Sequence, residues 1–139
     1  MSLRRRIART LRRKDEAARA PVPPISVTLF EFATPMTDTM PVPRKLAHLK
    51  AAMALAQLAW NLPILERSGD PALAKEYRAM AEAELATKPA LARELVAQMM
   101  KSRLTRYARD ERLVTFVDVV EDGAELRILA TDSHVREGL

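Results

Sequence analysis

The side chains whose type and spacing point most directly to chemistry are cationic. Arg4, Arg5, Arg6, Arg9, Arg12, Arg13 and Lys14 crowd the start of the chain, and with Arg19 they meet only Asp15 and Glu16 before residue 25. Residues 1–24 therefore hold eight basic and two acidic side chains, a net +6, whereas the remaining 15 basic and 16 acidic side chains give a net −1. Cations strung along a short segment neutralise phosphates without reading bases, and such attachment weakens steeply as salt rises. The expected partner of this arm is nucleic acid or another polyanion.

Four other readings use the same residues. An acidic groove on a protein partner would let the arm fold as it binds. An anionic membrane surface would use Leu3, Ile7 and Leu11, which recur four residues apart, but three modest side chains make a narrow anchor. The same stripe with its arginines also fits a transit segment, and a tail that only aids solubility needs no partner. No aromatic residue lies in the arm, so the base stacking that usually accompanies single-strand binding is missing.

Catalytic chemistry has no comparable signal. His48 and His134 are the only histidines, and neither has a second histidine three or four residues away to share a metal on a helix. With no cysteine there is no thiolate ligand, thiol nucleophile or disulfide. Gly69, Gly123 and Gly138 are too few and too scattered for a phosphate-cradling loop, and Ser26, Ser68, Ser102 and Ser133 sit in no nucleophile elbow. Glu76, Glu82 and Glu84 share a predicted helix with Lys75 and Arg78, the composition of a solvated face. No catalytic residue, metal or cofactor is expected.

Two strings remain. In Trp60-Asn61-Leu62-Pro63, the proline removes a helical donor, frees the Ala59 carbonyl and predicts a kink or break near Asn61. Trp60 and Asn61 could then line a pocket; the plainer reading buries the tryptophan at the end of a core helix, with Asn61 satisfying the broken turn. Arg103, Arg106, Arg109 and Arg112 form a second basic run, offset by Asp110 and Glu111, that suits the negative end of a helix.

The scaffold that must position these groups is one domain: 139 residues, 48% hydrophobic and 29% charged, is the balance of a soluble globular protein. The apolar run 51–65 is shorter than a membrane span, the basic start lacks the apolar stretch of a secretory leader, and a cytoplasmic setting is expected. Pro21, Pro23 and Pro24 make a semi-rigid hinge after the arm, and alternation over residues 25–32 reads as a short strand. The segment 33–43 reads as a loop.

Three helices follow. The first starts at Arg44 and is apolar on two faces. The second spans about Pro71–Ala86, capped by Asp70, with Leu73, Tyr77, Met80, Ala81 and Leu85 inward. The third, after Pro89, turns Leu91, Leu95, Val96, Met99, Leu104 and Tyr107 inward. Leu113–Val120 and Leu126–Thr131 flank Asp122-Gly123, a preferred hairpin turn, and pairing outward sets Val119 opposite Leu126, Val117 opposite Ile128, Phe116 opposite Leu129, and Asp118 in an ion pair with Arg127.

The expected fold is α+β: a small three-helix bundle with a C-terminal β-hairpin, a candidate third strand at 25–32 and an N-terminal basic arm. Residues 1–24 form the arm and hinge, 25–131 the globular domain, and 132–139 a tail. The expected function is that of a small non-enzymatic binding or adaptor protein, its arm on a polyanion and its near-neutral body on a protein partner. One alternative is a structural or regulatory subunit, with the arm docked on protein and the hairpin face around Phe116 and Leu129 against another copy. The other is an enzyme with a site near Trp60 and Asn61.

Overall fold

The computed structural model describes residues 22–134. The cluster Arg4–Lys14, and with it the expected polyanion site, lies outside the described residues. Within them the order is α1 (Ile25–Phe32), α2 (Thr34–Thr37), α3 (Leu46–Arg67), α4 (Pro71–Ala86), α5 (Ala90–Leu104), β1 (Arg112–Asp122) and β2 (Glu125–His134), and the fold is α+β.

Helix α3 is the axis, because it is apolar on more than one face. Leu49, Met53, Ala56 and Trp60 make one buried stripe and Ala52, Leu55, Ala59 and Leu62 a second, so α1, α4, α5 and β1 all pack against it. The helix runs unbroken through Pro63 to Arg67, so that, of the kink or break expected near Asn61, no break occurs. Burial of Leu62, Pro63, Ile64 and Leu65 holds the last turns in place, and Arg103 Nε donates to the neighbouring Trp60 carbonyl at 2.9 Å.

The boundary that follows is the expected one. Gly69 adopts a φ of 87°, the Asp70 carboxylate accepts from the Leu73 N–H at 3.1 Å, and Pro71 opens α4, the arrangement that caps a helix start. Helices α4 and α5 each cover α3 along a narrow stripe. Ala74 and Ala81 face inward on α4, as do Leu95, Val96, Met99 and Arg103 on α5. Leu73, Met80, Leu91 and Leu104, expected inward, are exposed because only one side of each helix meets a neighbour.

The strand expected at 25–32 is helix α1 instead. Ile25, Leu29 and Phe32 recur at helical spacing and are buried, whereas alternation would have buried Val27, which is 55% exposed. Packing against the core decided between two periodicities that these residues satisfy equally. The expected loop after it holds the single turn of α2.

The hairpin forms, with its register moved by two residues. Asp122 pairs with Glu125, Val119 with Ile128, Val117 with Ala130, Asp118 with Leu129 and Phe116 with Thr131. The central turn residues are thus Gly123 and Ala124. Only Gly123 has positive φ, 64°, as a turn with glycine first requires, whereas the expected Asp122-Gly123 turn needs a left-handed aspartate as well. A shift of two preserves both faces, so Val117 and Val119 still point inward with Leu126, Ile128 and Ala130. It does part Asp118 from Arg127: Asp118 meets Lys50 at 3.5 Å and Arg127 meets Asp122 at 3.7 Å. Strand β2 extends to His134, taking the first residues of the expected tail, and a bulge between Val114 and Phe116 re-aims β1.

Candidate functional site

Trp60 and Asn61 come together, but as structure. Their helix runs beside the edge of β1 that β2 leaves unpaired, where backbone groups need partners. Asn61 Oδ1 accepts from the Val114 N–H at 2.8 Å and its Nδ2 donates to the Val114 carbonyl at 2.8 Å, so one side-chain amide stands in for a neighbouring strand. Trp60 Nε1 donates to the Arg112 carbonyl at 2.7 Å, and Gln57 adds a second donor to Val114 at 3.0 Å. Trp60 is fully buried and Asn61 nearly so. Neither lines any of the grooves described below; of the two readings, a pocket or a buried tryptophan with a structural asparagine, these contacts match the structural one, as an edge cap.

Around that cap two arginines are buried. Arg103, 1% exposed, stacks its guanidinium 3.9 Å from the Trp60 ring centroid and donates to the carbonyls of Trp60 and Tyr107. Burial pushes its pKa down to about 10, which leaves it charged at neutral pH. Phe32, Trp60 and Tyr107 pack edge-on, with centroids 5.1 to 5.5 Å apart. Tyr107 donates its hydroxyl to Glu31 at 2.8 Å, and burial together with this bond pushes its pKa up to about 12.

Arg112, 6% exposed, is a clamp. Its Nε and one terminal nitrogen grip Asp110 at 3.0 and 2.7 Å, and that same nitrogen reaches Thr28 of α1 at 3.2 Å. The other donates to the Pro23 carbonyl at 2.8 Å. Burial alone would raise the Asp110 pKa, but the bonds from Arg112 hold it below the usual carboxylate value, and Asp110 in turn raises that of Arg112. The segment that follows the basic cluster is therefore fastened to the body where it enters.

The second basic run dissolves as a surface. Arg103 and Arg112 are buried and Arg106 is paired with Glu31 at 2.8 Å; moreover α5 ends at Leu104, so most of the run lies beyond the helix end it was expected to complement. His48 and His134 are exposed, and no cluster of potential metal ligands occurs among the described residues. Nor is any helix among them long and apolar enough to cross a membrane.

What the sequence did not show is a groove of about 580 Å³ assembled from four segments: Val27 and Phe30 of α1, the turn Val42-Pro43-Arg44, Leu49 of α3, and Leu126 and Ile128 of β2. Its walls are mostly apolar. Arg44 places its guanidinium carbon 5.8 Å from the Phe30 ring centroid, and its buried Nε has no hydrogen-bond partner among the described residues. None of the ion pairs among those residues involves Arg44. Glu125, at the turn end of the groove, is exposed. A smaller hollow of about 340 Å³ lies beside the clamp, between Val22, Arg109, Arg112 and His134. A third, of about 360 Å³, separates Leu58 of α3 from Met80 and Lys88. Set against protein-family models, curated proteins and solved structures, the chain matches none.

Proposed function

We propose that the protein is a small non-enzymatic adaptor of the cytoplasm, whose basic arm attaches to nucleic acid and whose near-neutral body contacts a protein partner. The observation that carries this reading is the charge partition, a net +6 over residues 1–24 against −1 over the rest. It is supported at the junction, where Arg112 donates to the Pro23 carbonyl and so fastens the end of that segment to the body. For the body, half-exposed Phe116 and Leu129 on the outer hairpin face offer apolar contact area. The alternative of an enzyme with a site near Trp60 and Asn61 is less favoured by this reading, because Trp60 Nε1 and the Asn61 amide bond to β1 backbone groups.

The test compares the full chain with a variant in which Arg4, Arg5, Arg6, Arg9, Arg12, Arg13 and Lys14 are all replaced by glutamine, leaving Pro23 and its clamp intact. Each is titrated with duplex DNA, RNA and anionic vesicles. With six or seven phosphates engaged, affinity of the full chain for nucleic acid should fall by roughly a thousandfold or more between 50 and 200 mM salt, and the variant should lose both the binding and its salt dependence. Equal affinity of the two chains for every polyanion would reject the reading, and stronger binding to vesicles than to nucleic acid would move the arm to membranes.

A further inference from the structure

We propose that the groove between α1, the turn 42–44 and β2 binds an apolar monocarboxylate, with the carboxylate on Arg44 and the hydrocarbon against Val27, Phe30, Leu126 and Ile128. The volume, about 580 Å³, is within the range of small-molecule sites, and its largely apolar lining with a single convergent cation is their usual make-up. Arg44 supplies the specificity. Its Nε is shielded from water and has no acceptor among the described residues, an arrangement that costs free energy until something accepts the bond. A carboxylate can take Nε and a terminal nitrogen together, the paired geometry that suits a guanidinium.

The charges around the groove narrow the occupant. The arm carries a net +6 and so shares the sign of Arg44, which disfavours it as a filler. A polyanion would set most of its charge against apolar walls. Glu125 at the turn end repels a second carboxylate, which favours a monoacid over a diacid. The groove as described uses no residue of the basic cluster, so its test and that of the arm fail independently.

The experiment is calorimetric titration of the full chain with octanoate, octanol and octylammonium, probes of equal length and different head group. Octanoate should bind at one site at least about tenfold more tightly than octanol, the difference expected of a charge-assisted hydrogen bond, and octylammonium should be weakest. Arg44→Gln should bring octanoate down to the level of octanol. Val27→Glu, at an exposed position that tolerates a charge, should remove octanoate binding while thermal unfolding stays as in the wild type. The variant with its basic cluster replaced by glutamine should bind octanoate unchanged. Octanoate no tighter than octanol, or Arg44→Gln without effect, would overturn the proposal. Octanoate binding that appears only once the cluster is neutralised would also overturn it, by giving the groove to the arm.

Discussion

Replacing Asn61 with leucine, a side chain of similar size and no polarity, tests the idea that one amide substitutes for a missing strand. The variant leaves the Val114 N–H and carbonyl facing an apolar group in a buried site; in the native protein Asn61 meets both at 2.8 Å. Each unsatisfied backbone group costs about 1–3 kcal/mol, Gln57 retains part of the carbonyl's bonding, and the added methyl groups return about 1 kcal/mol of burial. The net loss is about 2–4 kcal/mol, a large share of the 5–15 kcal/mol that holds a typical domain together. For a domain of this size that lowers the thermal midpoint by roughly 8–16 °C. Calorimetry or circular dichroism on the full chain reads it directly, and a midpoint within about 2 °C of the wild type would refute the edge-cap argument. Asn61→Asp adds a signature that packing defects lack. A protonated carboxyl can still donate to the Val114 carbonyl, whereas the ionised form sets a carboxylate against it, so the folded-state pKa rises above the unfolded value near 4. The folded variant then holds its proton more tightly than the unfolded chain. Its stability relative to wild type should be greatest below about pH 4 and fall as pH rises through the higher folded value.

Arg103→Met strands the Trp60 and Tyr107 carbonyls and removes the cation from the Trp60 face, for a loss of about 2–5 kcal/mol. Because Trp60 is the only tryptophan, fluorescence reports this site alone and should change in the folded variant; Arg103→Lys, which lacks the fork, should rescue less than half of the loss. An unchanged midpoint with unchanged fluorescence would contradict the assignment. Asp110 has its pKa held down by Arg112, so its contribution is complete above the unfolded value near 4 and is lost as pH falls through the lower folded one. Denaturant melts from neutral to acid pH should therefore show a shallower decline for Asp110→Asn, from a lower starting stability, and parallel curves would show that the clamp carries no proton linkage.

The three long helices, the Asp70 cap and the hairpin were legible because each rests on local periodicity or on one punctuating residue. Local information misled at Ile25–Phe32, where alternating and helical spacings coincide and only the position of the core tells them apart. At the turn, Asp122-Gly123 matched a preferred dipeptide, but only one residue there takes positive φ, and the register followed Gly123. Trp60 and Asn61 stood out as a string, yet their partners lie more than 50 residues away on β1, a pairing no local pattern encodes. Arg103 and Arg112 were unreadable as core residues since arginine is usually exposed; burial became tolerable through the carbonyls and the carboxylate that receive their donors.

The two edges of the hairpin explain why the groove lies where it does. An isolated pair of strands is marginal, so this one must be held by what surrounds it, and α3 holds it from the β1 side. There Trp60, Asn61 and Gln57 occupy the outward backbone groups of Arg112 and Val114, and Asp118 caps its neighbour Val119 at 2.8 Å. On the β2 side the ladder alternation turns the N–H and carbonyl groups of Leu126, Ile128 and Ala130 outward, and no backbone group outside the hairpin bonds to them among the described residues. Helix α1 packs against β2 with apolar side chains and has no polar reach comparable to Asn61. A sheet with one edge sealed by polar side chains and the other facing the largely apolar groove of Val27, Phe30 and the turn 42–44 leaves its adaptable surface on the β2 side. Sealing β1 fixes the register on which the positions of Leu126 and Ile128 in the groove depend, so Asn61→Leu should weaken octanoate binding even in the fraction that stays folded, whereas Met80→Ala, on exposed α4 surface, should leave it unchanged.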